Sequence, residues 1–296
     1  MVIGKTADLC RTCVGEDILI TLGGTDSIQN FERIAGGKVS EHLLHIHVPW
    51  AQLRSTLPFL LERSLQPEIA FKGSDLDMLS PQHLRDAGRR LAEAGLNVTV
   101  HAPFADLNPG ALEPLVFEAT RQRFFQTLEA ADRLGARLVV FHPGYDRWKY
   151  GGLDHLWLNQ NLRFWPPLLK RAAEQNCTMA LENIFEKDTG TLSDLLSTLD
   201  SPWLGHCFDI GHWSLFADVS LADWFAALGS RLIHLHLHDN LGERDDHLPV
   251  GEGKIDFSAL FQLVSSLPAA PSMTLEAHTR SNLIRSLTGV APFLAA

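Results

Sequence analysis

The 296-residue chain holds only four cysteines, too few and too scattered for a disulfide framework. Cys10 and Cys13 form a single C-x-x-C with no second pair downstream, a weak signal for zinc or redox chemistry. Cys177 and Cys207 read as small buried hydrophobes. No apolar run approaches the roughly 18–20 residues that cross a bilayer, so no membrane partner is expected. The N-terminus lacks a basic segment followed by an apolar one, so no signal peptide is evident and the cytoplasm is the expected location. Positive charge is also short: 25 Lys and Arg stand against 35 Asp and Glu, a formal net charge of −10. A broad basic face for polyanions is not expected from this balance, although 14 histidines count as neutral in it and bound cations would add charge locally.

What the chain does have is a 45% hydrophobic content with mean hydropathy near zero, as in soluble globular proteins, and a repeating pattern. From about residue 43 onward, short apolar runs alternate with longer helical periodicities. Strands are predicted near 43–48, 67–71, 96–101, 137–142, 178–182, 204–209, 231–237 and 272–276. Helices are predicted near 51–64, 81–94, 117–134, 160–176, 191–199, 220–229, 256–267 and 281–294. Pro81 opens one of these and Gly95 follows its end, while Gly135 follows another. Eight such βα units predict the α/β class, a single (β/α)8 barrel over residues 41–296. Residues 1–40 fit no repeat and form an extra N-terminal arm. DILITL (17–22) within it could be a strand, and the arm could cover the barrel bottom or mediate contact in a homo-oligomer.

Six of the strand-like runs end in a residue able to bind a divalent metal: VTVHAP (His101), LVVFHPG (His142), MALEN (Glu182), GHCFDIGH (Asp209), LIHLHLHD (His236) and MTLEAH (Glu276). Each alone reads equally well as a satisfied polar residue of the barrel. In series they predict a metal site at the C-terminal mouth, since charged groups are rarely buried without partners. Glu182, Asp209, His236 and Glu276 are the core set, and mixed carboxylate and imidazole donors suit Mn, Mg, Co or Zn. Glu182 and Glu276 could hold an ion and still move protons on opposite faces of a substrate. Asp209-x-x-His212 and Asp245-x-His247 could complete a second or third metal position, or simply brace their loops. In the seventh strand His234, His236 and His238 share one face, opposite Ile233, Leu235 and Leu237. Candidate substrate contacts are His47, then Arg147 and Trp148 in the aromatic and basic loop Tyr145–Tyr150, and His278 and Arg280 after the last strand.

The segments FDIGH, HLHDN and H-x-x-x-G-x-G after Asp245 resemble those of the xylose isomerase-like TIM barrel superfamily, over roughly residues 41–296. That superfamily includes sugar isomerases and epimerases and the second family of AP endonucleases, endonuclease IV. The sugar branch implies metal ligands at Glu182, Asp209, His236 and Glu276, with the two glutamates as acid/base pair. The endonuclease branch implies a trinuclear zinc cluster on nine positions that match His101, His142, Glu182, Asp209, His212, His236, Asp245, His247 and Glu276. HAPFADLNPG, FHPGYD, LENIF and HLPVGEGKIDF look more like the sugar phosphate isomerase/epimerase group. Where the endonuclease branch carries a Gly-Gly pair after His-Val, this chain has HVPWAQL (47–53). Asp75, Asp77, Glu186, Asp188, Glu243, Asp245 and Asp246 would also repel a long DNA track. The expectation is a divalent-metal-dependent isomerase or epimerase of a small sugar or sugar phosphate, holding one to three ions. The alternative is a zinc-dependent AP endonuclease whose partner is abasic DNA, and a third reading is a catalytically silent sugar-binding barrel.

Overall fold

The computed structural model describes residues 44–294. The Cys10/Cys13 pair, the DILITL run and the N-terminal arm with its boundary near residue 40 lie outside the described residues. Eight parallel strands close into a barrel in chain order: β1 Leu44–Pro49, β2 Gln66–Ala70, β3 Thr99–His101, β4 Leu138–Phe141, β5 Thr178–Glu182, β6 Leu204–Asp209, β7 Leu232–Leu237 and β8 Ser272–Leu275. β8 pairs back onto β1, so no sheet edge remains open. The connecting helices are α1 Trp50–Arg63, α2 Gly73–Asp77, α3 Pro81–Glu93, α4 Pro114–Leu134, α5 Arg147–Tyr150, α6 Asp154–Glu174, α7 Gly190–Leu199, α8 Ile210–Phe216, α9 Leu221–Leu228, α10 Phe257–Ser265 and α11 Arg280–Leu294. No helix among the described residues is long and apolar enough to cross a membrane.

All eight predicted strands and all eight predicted helices are present. The additions are α2, α5 and α8, each seven residues or fewer and each in a loop at the C-terminal end of a strand. Two turns or less leave too little sequence for a 3.6-residue period to show. Local chemistry explains the boundaries: the Ser80 hydroxyl accepts from His83 N ahead of Pro81, and α4 stops at Gly135 with φ of 75°.

Alternation along the strands divides two environments. Ile46, Val48, Ile69, Leu181, Phe208, Leu235 and Leu275 belong to the large core shared with the helices. The barrel interior instead combines a small apolar patch of Val140, Ala180 and Cys207 with the buried polar residues His45, Gln66, Glu68, Thr99, His234 and Thr274. Helix packing is tightest at Gly88 of α3, where an added Cβ would lie 2.4 Å from the Leu134 carbonyl oxygen. Gly88→Ala is therefore expected to destabilise by about 1–3 kcal/mol through overpacking, read as a lower urea midpoint with unchanged slope.

Candidate metal centre

The four core candidate ligands come together around one atom. His236 Nδ1 lies 3.3 Å from Glu182 Oε2, 3.4 Å from Glu276 Oε1 and 3.9 Å from Asp209 Oδ2. Register places them together, because Asp209 pairs with His236 across β6 and β7, and β7 pairs onward with β8. Glu182 is the hub of the wider cluster: His101 Nε2 is 3.2 Å and His142 Nε2 3.1 Å from its Oε2, and His212 Nδ1 is 3.2 Å from Oε1. Asp245 joins from the loop after β7, with Oδ2 3.3 Å from His212 Nε2 and 3.1 Å from His247 Nε2. All nine residues singled out as ligands from the sequence thus meet at the mouth, each 9% exposed or less.

The loops hold these side chains by backbone hydrogen bonds. Asp209 N donates to Asn183 Oδ1, and Asn183 Nδ2 donates to the Asp209 carbonyl, both at 2.9 Å. Asp209 also caps α8 by accepting from His212 N, which turns His212 back over Glu182. Gly211 in FDIGH is required by contact: a Cβ there would lie 2.0 Å from His238 Cε1. After β7, the fully buried Asp239 carboxylate accepts from the backbone N–H of Asn240, Gly251, Gly253 and Ile255 at 2.8–3.2 Å. That one side chain shapes the loop carrying Asp245 and His247.

Charge in the cluster is strongly coupled. Burial alone would raise the Glu182 carboxyl, but the imidazoles of His236, His142 and His101 hold it well below the usual carboxylate range. Glu276 comes down to about 2 in the same way, against its burial, through His236 and His247. Burial opposes charge on His247, yet Asp245 raises it to about 9, and His236 is likewise raised by Glu276, Glu182 and Glu68. Glu186 behaves oppositely: burial pushes it up to about 7 despite the N–H of Ile184 donating to it at 2.6 Å.

A divalent cation fits this donor set. His101, His142 and Glu182 offer ligand atoms all within 4.8 Å of one another, and so do His101, His236 and Glu276, Asp209, His212 and His238, and His238, Asp245 and His247. Among the described residues the buried atoms His238 Nδ1, His247 Nδ1, Asp245 Oδ1 and both ring nitrogens of His236 make no aligned hydrogen bond, and all of these but His236 Nε2, which faces Glu68, are turned to the cluster, as expected of groups aimed at a cation.

The candidate substrate contacts divide. His47 projects from β1 beside the cluster, lowered to about 4 by burial, and His278 stacks on His247 at 4.3 Å between ring centroids. Arg147 donates to the Phe216 carbonyl at 3.1 Å and lies over the exposed Trp148 ring, which meets Phe185 edge-on. Arg280 lies over Phe59, in a cavity walled by Ile46, Val48 and Leu275 from the helix-facing side of the barrel. Tyr145 and Tyr150 are buried pillars, donating to Asp154 and to the Gly110 carbonyl. Sequence reasoning passed over His238, 3.0 Å from Asp209 Oδ2, although its shared face with His236 was the available signal. It also passed over Glu68, whose signal was a carboxylate inside the apolar run PEIAF. Phe104, stacked 4.4 Å from His142, gave no signal.

Comparison with known proteins agrees with the fold. A D-tagatose 3-epimerase-like protein superposes with a TM-score of 0.71 at 24% identity, over 84% of this chain and 97% of that one. A Thermus thermophilus protein, in crystals soaked with zinc chloride, superposes with a TM-score of 0.68 at 25% identity, over 83% and 98% of the two chains. A probable endonuclease 4 of Chlorobium luteolum is 32% identical over 206 residues, covering 58% of this chain and 68% of the relative. Residues 67–292 match the xylose isomerase-like TIM barrel family, and the chain belongs to that family.

Proposed function

We propose that the protein is a divalent-metal-dependent isomerase or epimerase of a small sugar or sugar phosphate. The observation that carries this reading is the placement of Glu182 and Glu276 about one atom, His236 Nδ1, at 3.3 and 3.4 Å. A bound Mn, Zn, Mg or Co ion would polarise adjacent carbonyl and hydroxyl oxygens of the substrate. Glu182 and Glu276, both anionic, serve as the pair that removes a proton from carbon and returns it, the enediolate-type transfer. His101, His142 and His212 orient hydroxyls or hold a further ion. Phe104 on His142 and Phe216 near His212, continued outward through Phe185 to Trp148, provide aromatic faces leading to the cluster for the C–H surface of a sugar.

Depth supports a small substrate: Asp209 and His236 are fully buried and Glu276 is 9% exposed. The nine candidate ligands, falling together with His238 into overlapping groups of three, favour a second reading, a zinc phosphodiesterase acting on abasic DNA. Against it stand the acidic mouth and Pro49-Trp50 at the exit of β1, where Trp50 packs on Phe71 at 5.4 Å between ring centroids. The metal-loaded protein is expected to exchange solvent deuterium into at least one sugar of a ketose and aldose panel, and to lose that exchange on chelation. A panel with no exchange, together with a chelator-sensitive nick in an abasic duplex but not in intact DNA, would transfer the assignment to the second reading.

A further inference from the structure

Glu68 lies within the barrel on β2, fully buried, and none of the chemistry proposed above uses it. A carboxylate without solvent is held only by strong partners, since removing an ion from water costs several kcal/mol even after relaxation. Its partners are specific. Oε1 is 3.1 Å from His236 Nε2, out of line for a hydrogen bond, and neither atom has another hydrogen-bond partner. Oε2 is 3.1 Å from His234 Nε2 and accepts from Thr99 Oγ1 at 3.1 Å. His234 is fixed in turn by Ser272 Oγ at 2.6 Å from Nδ1 and Thr274 Oγ1 at 3.0 Å from Nε2.

His236 therefore has two unlike faces. Nδ1 looks up into Glu182, Asp209 and Glu276, while Nε2 looks down at Glu68. An imidazole can ligate a cation through one nitrogen only if that nitrogen carries no proton, and the acceptor at the other nitrogen decides this. Thr99 donates to Oε2, with His234 Nε2 3.1 Å away, which leaves Oε1 as the oxygen turned toward His236. We propose that Glu68 is the positioning residue of the metal centre: with a small turn of the His236 ring its Oε1 accepts the Nε2 proton, and so presents Nδ1 as the lone pair that binds the ion. This rests on the metal-dependent reading above.

The test is a zinc competition titration against a chelating indicator, with folding checked by circular dichroism. Glu68→Leu is expected to weaken zinc binding roughly 10–100-fold, and Glu68→Gln, which keeps an acceptor oxygen, to recover most of the loss. A purely structural role would lower the melting temperature of the metal-free protein and leave the zinc dissociation constant of the folded variant unchanged. Folded Glu68→Leu that binds zinc as the parent does would overturn the proposal while leaving the metal centre intact. A parent that takes up no zinc would overturn both. If Glu68→Leu does not fold, the imidazole ¹⁵N spectrum of the zinc-loaded parent decides. A protonated Nε2 and coordinated Nδ1 on His236 supports the proposal, and the reverse tautomer overturns it.

Discussion

Glu182→Gln and Glu276→Gln are each expected to slow solvent-deuterium exchange into the sugar by roughly 10²–10⁴-fold, the range general acid–base catalysis supplies. An amide keeps the size of the side chain and one acceptor oxygen but cannot take the proton from carbon. The two variants should not be equal. Glu182 faces His101, His142, His212 and His236 at 3.1–3.3 Å, whereas Glu276 faces His236, His238 and His247 at 3.4–3.7 Å. Neutralising Glu182 removes the anion that compensates four buried imidazoles, so its variant should also bind metal more weakly. Glu276→Gln should hold its metal better and fail chiefly in kcat. Proton NMR in D₂O beside elemental analysis separates the two effects. Exchange rates within tenfold of the parent for both variants, at full metal content, would remove the glutamates from the proton transfer.

The contrast between these glutamates and Glu68 shows what the sequence could carry. Glu182 and Glu276 stand at the ends of apolar runs and ahead of loop residues, so their place at the mouth follows from strand direction alone. Glu68 sits mid-run, and its importance depends on β2 register against β1 and β3 and on the reach of His234 and His236 across the interior. That is three-dimensional information which a strand's own pattern does not contain. His238 was half legible: alternation puts it on the ligand face, but only the turn after β7 and the absence of a Cβ at Gly211 bring it to Asp209. Loop side chains were the least legible. Arg147 and Arg280 had the right charge and followed the right strands, yet one is engaged by the Phe216 carbonyl and the other lies over Phe59. Such partners come from distant segments, and no local period announces them.

Asp239 gives the largest expected effect on stability. Asp239→Ala would strand four backbone N–H donors in a loop whose centre is buried. Each unpaired buried donor costs about 1–3 kcal/mol, and with water refilling part of the space the total loss should be on the order of 4 kcal/mol. Asp239→Asn retains one acceptor oxygen but turns an NH₂ toward other donors, so it should lose roughly half as much. Gly253→Ala should mimic the defect from the other side, because its Cβ would lie 2.2 Å from Asp239 Oδ1 and 2.4 Å from the Asn240 carbonyl oxygen. Asp256 is a suitable control: it caps α10 by accepting from Ala259 N in an exposed setting, so Asp256→Ala should lose only about 1 kcal/mol. Urea unfolding compares the four. The loss at Asp239 should extend to the site, because Asp245 and His247 ride on the loop it organises and would no longer meet His212 and Glu276. A ranking in which Asp239→Ala is no worse than Asp256→Ala would mean that water substitutes fully for the carboxylate, and that the loop is held by its antiparallel bridge between Asp239 and Leu248 instead.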